Sequence, residues 1–369
     1  MAIVFIAGTT AELIKIAPVM VELDNRGIPY RLWSTAQHID GVSRTLADLG
    51  IRPPDRYLVS GRNRTNIARS SQVPGWFLNI VGNVARNFSS LREEVGDGIV
   101  LVHGDTFTTA IGALIGRLLG VKVGHIEAGL RSGSIKSPFP EELNRRLVGH
   151  LATVDFAPTD RELDNLEQLR RVRSGKAEVV VTGANTVVDA LRAARGKDVG
   201  VPQLPEHFGL VTLHRFELVQ SKTEFASIVH KLKDFSRSLP LVFVVGHSER
   251  ERLTALGLDD VFDSQMTRID KRSYAEFLPI LMRAELVVTD SGGLQEECAA
   301  LGIPCAVHRQ RTERYQGIGE NVVLTELKIP VLEDFLSHWE DYRRPSQIDS
   351  YHPSRIIADW IGDPRNATH

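Results

Sequence analysis

Short apolar runs rich in Val, Ile and Leu alternate along this chain with longer stretches in which apolar residues recur at helical spacing. That alternation is the signature of parallel βαβ architecture. Residues 3–8 predict a strand feeding a helix over about 11–26, and 30–35 predict the next strand. A single helical stretch is expected over roughly 76–95. Strands at 99–103 and 121–126 flank a helix at 108–119, and 155–157 with 179–182 complete a first sheet. A fresh α/β series then begins, with strands at 210–213, 241–245, 286–289 and 305–307 and helices between them. The polar, Gly/Pro-rich residues 196–205 form the seam. The expectation is an α/β chain of two Rossmann-like domains facing a cleft. They span residues 1–196 and 197–350, and a C-terminal helix in 351–369 packs back on one of them. Ligands of open parallel sheets bind beyond the carboxyl ends of the strands, so motifs there are the candidates for chemistry.

At 369 residues the chain is long enough for two domains with separate cores. A net charge of −2 and a pI near 6.6 argue against a general role on nucleic acid or a membrane surface. No apolar run reaches the roughly 18 residues of a membrane span. The N-terminus lacks the basic segment of a signal peptide, so a cytoplasmic protein is expected. Cys298 and Cys305 lie in an apolar helix-to-strand passage and are expected to be a buried, reduced pair.

Chemistry concentrates in Val102-His-Gly-Asp-Thr-Phe-Thr-Thr109, Gly124-His-Ile-Glu-Ala-Gly-Leu-Arg131 and Ser137-Pro-Phe-Pro-Glu-Glu-Leu-Asn-Arg145. These segments bring Asp105, Glu127 and Glu141 to strand ends or a helix start beside Arg131 and Arg145. Such a group suits proton transfer next to an anion. A strand-end Asp also serves as a helix cap, and the arginines also serve as structural partners of the acids. Gly8-Thr-Thr-Ala-Glu-Leu-Ile-Lys15 turns from the first strand into a helix whose free N–H groups favour phosphate; an ordinary tight turn reads the same way.

In the second half, Leu210-Val-Thr-Leu-His-Arg-Phe-Glu217 puts His214 at a strand tip, as a donor to phosphate or a satisfied structural histidine. Thr289-Asp-Ser-Gly-Gly-Leu-Gln-Glu-Glu297 reads as strand, turn and helix start, with Ser291, Gly292 and Gly293 suited to a diphosphate. Glu297 is placed to accept two ribose hydroxyls. Arg309-Gln-Arg-Thr-Glu-Arg314 supplies cations for an anion or forms a solvated loop. Tyr274 and Phe277 fall on a helical pattern, where packing in a helix core is the plain reading.

Over about residues 3–326 these segments resemble the non-hydrolysing UDP-N-acetylglucosamine 2-epimerases. The resemblance implies a GT-B fold and interconversion of UDP-GlcNAc and UDP-ManNAc. A proton leaves C2 as UDP is eliminated from C1, and UDP then re-adds to the bound 2-acetamidoglucal. On matching positions it implies Asp105, Glu127, Glu141, His214, Arg145 and Lys15 for catalysis. It implies Thr9, Arg131, Tyr274, Phe277, Ser291, Gly292, Gly293, Glu297, Arg309 and Arg314 for substrate binding. No cofactor and no metal ion is implied. The expected partners are a small-molecule nucleotide sugar and a second copy in a homodimer, with no nucleic acid and no membrane.

The chain departs from the family pattern at several points. Thr10 and Ala11 stand where the family has Arg and Pro, which removes a bidentate cation near the diphosphate. Leu213 and Phe216 replace a Gly and an Arg around His214. In the family's regulatory subsite Gln37 and His38 match, but Asp40 replaces a second Gln, and His247-Ser-Glu-Arg250 lacks the family's Asn and Pro. Activation by substrate is therefore not expected. The alternative readings are a hydrolysing 2-epimerase that releases free ManNAc and UDP, and a GT-B glycosyltransferase. The transferase shares the Ser291–Glu297 design but has no need of the three acids.

Overall fold

The computed structural model describes residues 1–37, 39–60, 72–133, 139–196, 203–214 and 222–367. His38, the Asp40 side chain, Ser137, Pro138, Arg215, Phe216, Glu217 and seam residues 197–202 lie outside the described residues. The chain divides into two compact units, Met1–Ala190 with Tyr351–His369, and Leu191–Ser350.

The first unit is built on a parallel seven-stranded sheet in the order β3-β2-β1-β4-β5-β6-β7. Its strands are β1 Ile3–Ala7, β2 Arg31–Ser34, β3 Arg56–Tyr57, β4 Ile99–His103, β5 Lys122–Ile126, β6 Val154–Ala157 and β7 Glu178–Val181. The accompanying helices are α1 Thr10–Asn25, α2 Ile39–Asp48, α3 Val73–Arg86, α4 Phe88–Val95, α5 Phe107–Leu118, α6 Glu141–Leu151, α7 Asp160–Glu167, α8 Arg170–Arg173 and α9 Val187–Ala194. Every residue of β1 is buried. Successive side chains of a strand point to opposite faces, so Ile3, Phe5 and Ala7 join the α1 side of the core and Val4 and Ile6 join the α3–α5 side. A strand covered on both faces needs no polar alternation, which explains its unbroken apolar sequence. Helix α5 carries Gly112 and Gly116 because it lies very close to the sheet. A Cβ at either position would come within 2.7 Å of Val102 Cγ1 or Val123 Cγ2.

The second unit repeats the plan with a parallel six-stranded sheet in the order β10-β9-β8-β11-β12-β13. Its strands are β8 Gly209–Thr212, β9 Leu241–Val245, β10 Met266–Asp270, β11 Leu286–Thr289, β12 Cys305–Val307 and β13 Val322–Leu324. Its helices are α10 Lys222–Phe235, α11 His247–Ala255, α12 Tyr274–Arg283, α13 Gly292–Leu301 and α14 Ile329–Ser337. Cys298 on α13 and Cys305 on β12 are both buried and free. Burial holds the Cys298 thiol well above its ordinary range, which keeps it protonated and unreactive.

The chain then returns to the first unit as α15 Pro353–Gly362. Ile357, Ala358 and Ile361 enter the α1 side of the core, and the Trp360 ring meets Phe156 edge-on with centroids 5.6 Å apart. Arg26 on α1 pairs with Asp359 at 2.7 Å.

Two local differences from the sequence reading have physical causes. The helix expected at 76–95 is broken at Asn87, whose Nδ2 donates to the Asn83 carbonyl at 2.8 Å and competes with the helical backbone. Strands β3, β10 and β13 were not expected because they are short or alternately exposed edge pieces rather than apolar runs. Among the described residues no helix is long and apolar enough to cross a membrane.

Phe156 sits at the junction of sheet, α1 side and α15. Phe156→Ala is expected to cost about 3–5 kcal/mol through lost burial and the cavity left behind. Urea denaturation checks this, and a loss under about 1 kcal/mol would place the residue outside the main core.

Candidate active site

Strand order reverses between β1 and β4 in the first sheet and between β8 and β11 in the second. Such switch points open a crevice at the carboxyl ends of the strands. At the first of them Glu12 fixes the turns after both strands. Its buried carboxylate accepts from Gly8 N at 2.9 Å, Thr9 N at 2.8 Å and Thr9 Oγ1 at 3.0 Å. It also accepts from Thr106 Oγ1 at 2.5 Å and Thr109 Oγ1 at 3.3 Å. Burial pushes the Glu12 carboxyl up from its ordinary range, and these hydrogen bonds oppose that shift. Thr9 is the N-cap of α1 in a capping box with Glu12, so its buried hydroxyl is engaged inside the turn.

The three sequence-predicted acids stand at the carboxyl edge of this sheet or just beyond it. Asp105 follows β4 after Gly104, and its Oδ2 receives Arg145 Nη2 at 2.5 Å while its carbonyl receives Asn144 Nδ2 at 2.9 Å. Arg145 is buried and its Nη1 also donates to Glu142 Oε2 at 3.3 Å. Glu127 follows β5 with φ +66°, a left-handed conformation that costs a residue bearing a Cβ about 1–2 kcal/mol. It is buried, and its Oε2 receives both Lys15 Nζ and Asn185 Nδ2, with His103 Nε2 3.8 Å away. Glu141 opens α6, and its Oε2 is buried without a hydrogen bond among the described residues. Arg131 donates to the Leu130 carbonyl at 2.7 Å, and burial lowers its pKa below the ordinary value. Arg145 and Lys15 thus place a cation directly against Asp105 and Glu127 respectively.

Behind the acids lies a group that the sequence reading did not single out. His125 Nε2 meets the Gly104 carbonyl at 2.8 Å, so this nitrogen carries the proton and braces the residue before Asp105. His125 Nδ1 lies 3.8 Å from Asp155 Oδ1, and Arg171 pairs with Asp155. Burial pushes the imidazole down to about 4 and the Asp155 carboxyl up to about 6.

In the second unit the strand ends after β8 and β11 are tied by Thr212 Oγ1 and Thr289 Oγ1 at 2.7 Å. Asp290, fully buried, accepts from His214 N at 2.8 Å and lies 3.2 Å from His214 Nδ1. It orients the half-exposed imidazole, a role that the Thr289–Glu297 motif did not disclose. Ser291 caps α13 by accepting from Leu294 N at 3.4 Å. A Cβ on Gly292 would lie 3.1 Å from Arg309 Nη1 and 3.3 Å from Arg314 Nε, so glycine is what lets both guanidinium groups reach the helix N-terminus. Arg309 is held by Glu313 at 3.3 Å and Arg314 by Glu296. Gln295 fastens their loop, donating to the Arg314 carbonyl at 2.9 Å and accepting from Thr312 Oγ1 at 2.8 Å. The positive dipole end of α13 thus lies beside Arg309 and Arg314, each paired with a glutamate, an arrangement compatible with an anion. Gly293 extends the same turn. On α12, Tyr274 OH donates to Glu297 Oε1 at 2.9 Å, and burial with the Glu297 charge holds the phenol well above its ordinary range. Phe277 is half-buried one turn further along α12.

The regulatory positions are only partly described. Gln37 Oε1 accepts from Thr108 Oγ1 at 2.9 Å, and Arg250 pairs with Asp270.

Two doubly wound parallel sheets, one edged by acids and the other by a helix start beside two arginines, define a GT-B-like α/β protein. A family model described as UDP-N-acetylglucosamine 2-epimerase matches residues 22–343, and the chain belongs to that family. It is 34% identical over 345 residues to the UDP-N-acetylglucosamine 2-epimerase of Yersinia pestis, covering 88% of this chain and 86% of that one. Its structure is similar to the Neisseria meningitidis UDP-GlcNAc 2-epimerase bound to UDP-GlcNAc, with a TM-score of 0.76, 29% identity and coverage of 97% and 99%. It is also similar to the Methanocaldococcus jannaschii enzyme in complex with UDP-GlcNAc and UDP, with a TM-score of 0.73, 27% identity and coverage of 97% and 98%.

The His125–Asp155 pair makes a prediction about acid stability. An imidazole held at about 4 against 6.5 contributes about 3 kcal/mol above pH 6.5, lost as pH falls toward 4, because the unfolded chain then binds the proton more readily. Asp155 has the opposite sign. Its raised value makes the folded state the better proton binder, so stability is gained as pH falls through about 6. The two terms offset in the wild type. Asp155→Asn is therefore expected to steepen the fall of the urea midpoint between pH 6 and 4. A parallel pH dependence in the two proteins would refute the raised value of Asp155.

Proposed function

We propose that this chain interconverts UDP-GlcNAc and UDP-ManNAc by inverting C2 of the sugar. The observation that carries this is its similarity to a named UDP-N-acetylglucosamine 2-epimerase over 88% of its length, together with the half-buried Asp105 and the buried Glu127, each held by a cation beyond the first sheet. In the proposed reaction a carboxylate removes the C2 proton while the C1–O bond breaks and its electron pair leaves with UDP. UDP then re-adds at C1 of the bound 2-acetamidoglucal as a proton returns to the opposite face of C2. Asp105, Glu127 and Glu141 carry the proton transfers, with Arg145 and Lys15 held against the first two respectively. His214, oriented by Asp290, assists the departing phosphate. Ser291, Gly292, Gly293, Arg309 and Arg314 hold the diphosphate, Glu297 the ribose, and Tyr274 and Phe277 the base. Thr9 acts through the shape of its turn, and Arg131 supports the sugar side.

Thr10, in place of the family's arginine, leaves open a second outcome in which water captures the intermediate and free ManNAc is released. A proton NMR time course with UDP-GlcNAc in deuterated water separates the readings. Deuterium at C2 of UDP-ManNAc is expected. Free ManNAc would mark the hydrolysing branch, and unchanged substrate would overturn both. In the same assay Asp105→Asn, Glu127→Gln and Glu141→Gln should each slow turnover by at least about a hundredfold.

The proposed partner is a second copy of the chain. Leu78 and Val81 on α3, Leu114 and Leu118 on α5, and Leu143 and Leu147 on α6 are apolar and exposed, an unusual concentration for a monomer surface. Sedimentation should give a species of twice the 40.9 kDa chain mass, and a monomer at micromolar concentration would oppose this.

A further inference from the structure

Asn185 lies in the turn between β7 and α9, buried, with both ends of its amide in use. Oδ1 accepts from Thr186 Oγ1 at 3.3 Å and from Val187 N at 3.4 Å, which closes the turn at the start of α9. Nδ2 reaches across 58 residues of sequence to Glu127 Oε2, the same oxygen that receives Lys15 Nζ. Further titratable groups near this carboxylate among the described residues include His103 at the end of β4, 3.8 Å away, and His125 on β5, whose ring feels the Glu127 charge. The Asn185 amide is the member of this set whose donor does not titrate.

With two donors on one oxygen, the carboxylate cannot turn about its last torsion without losing both, so the direction of Oε1 is set as well. Hydrogen bonds to the charged form of an acid also favour that form. Resting on the epimerase reading above, we propose that Asn185 is a positioning residue, which orients the Glu127 carboxylate and keeps it ionised for proton transfer at C2.

The competing explanation is that Asn185 only caps the turn. Asp and Ser cap as well as Asn does, yet neither supplies an amide donor to Glu127. Asn185→Asp and Asn185→Ser therefore keep the cap and remove the contact. Two measurements are needed: kcat and KM for UDP-GlcNAc across pH, and a ¹³C NMR titration of the Glu127 carboxyl without ligand, assigned by difference from Glu127→Gln. Asn185→Ser should melt close to the wild type, and Asn185→Asp lower near neutral pH because a carboxyl pKa raised in the folded state costs stability there. In both, kcat should fall about ten- to a hundredfold, the scale of a charge-assisted hydrogen bond. KM should stay within about threefold. The Glu127 titration and the matching limb of the pH profile should rise by about one unit or more in Asn185→Asp, and by less in Asn185→Ser. Wild-type kcat with an unmoved titration in folded variants would overturn the proposal. Should Asn185→Asp not fold, Asn185→Ser decides alone. A wild type that leaves UDP-GlcNAc unchanged sinks the epimerase reading, and the ligand-free titration still decides whether Asn185 controls Glu127.

Discussion

Much of the first unit's candidate site depends on one buried carboxylate that reads at first as a capping residue. Glu12 collects the N–H groups of Gly8 and Thr9 and the Thr9 hydroxyl after β1, and the hydroxyls of Thr106 and Thr109 after β4. Those turns leave adjacent strands at the point where the sheet order reverses. An acid taken out of water is costly unless its lone pairs are filled, and five donors fill these. The arrangement fixes two loops against each other at the edge where Asp105 and Lys15 emerge. Loss of the carboxylate would leave several donors unsatisfied at once, a penalty larger than that of a single missing cap.

The charges around the acids are organised in the same way. Lys15 and Asn185 converge on Glu127, and Arg145 bridges Asp105 and Glu142. Buried ion pairs add little net stability once desolvation is counted, so their value here is geometric and electrostatic. They hold the acids in a chosen orientation. Thr10 stands at the first residue of α1, in the same helix as Lys15, which reaches Glu127. In the second unit Arg309 and Arg314, each paired with a glutamate, lie beside Gly292 at the start of α13.

How much of this was legible in the sequence follows from what each feature needs. The apolar runs of β1, β4, β9 and β11 announce strands covered on both faces, and turn chemistry places Asp105 and Ser291 at the carboxyl ends of β4 and β11 and Glu127 at that of β5. Strands β3, β10 and β13 carry no such run and were missed, as was the break at Asn87, which one side-chain hydrogen bond decides. The site's partners were harder still. Asn185 and Glu127 stand 58 residues apart, and His125 reads as one more strand residue until its ring is seen on the Gly104 carbonyl. Local pattern discloses where a strand ends, whereas pairing across a parallel sheet is a property of strand order.

The two units solve one problem with the same device and opposite polarity. In each, a buried acid at the switch point accepts a backbone N–H from a strand-end turn: Glu12 from Gly8 and Thr9, Asp290 from His214. The device frees the neighbouring side chains from structural duty. Beyond Glu12 the neighbours are carboxylates paired with cations, a set suited to moving protons. Beyond Asp290 they are an imidazole, a capped helix start and two arginines, a set suited to holding negative charge. In the proposed reaction, proton transfer at carbon and retention of a charged leaving group are different electrostatic tasks. In each unit the acid that builds the turn is separate from the groups proposed for those tasks.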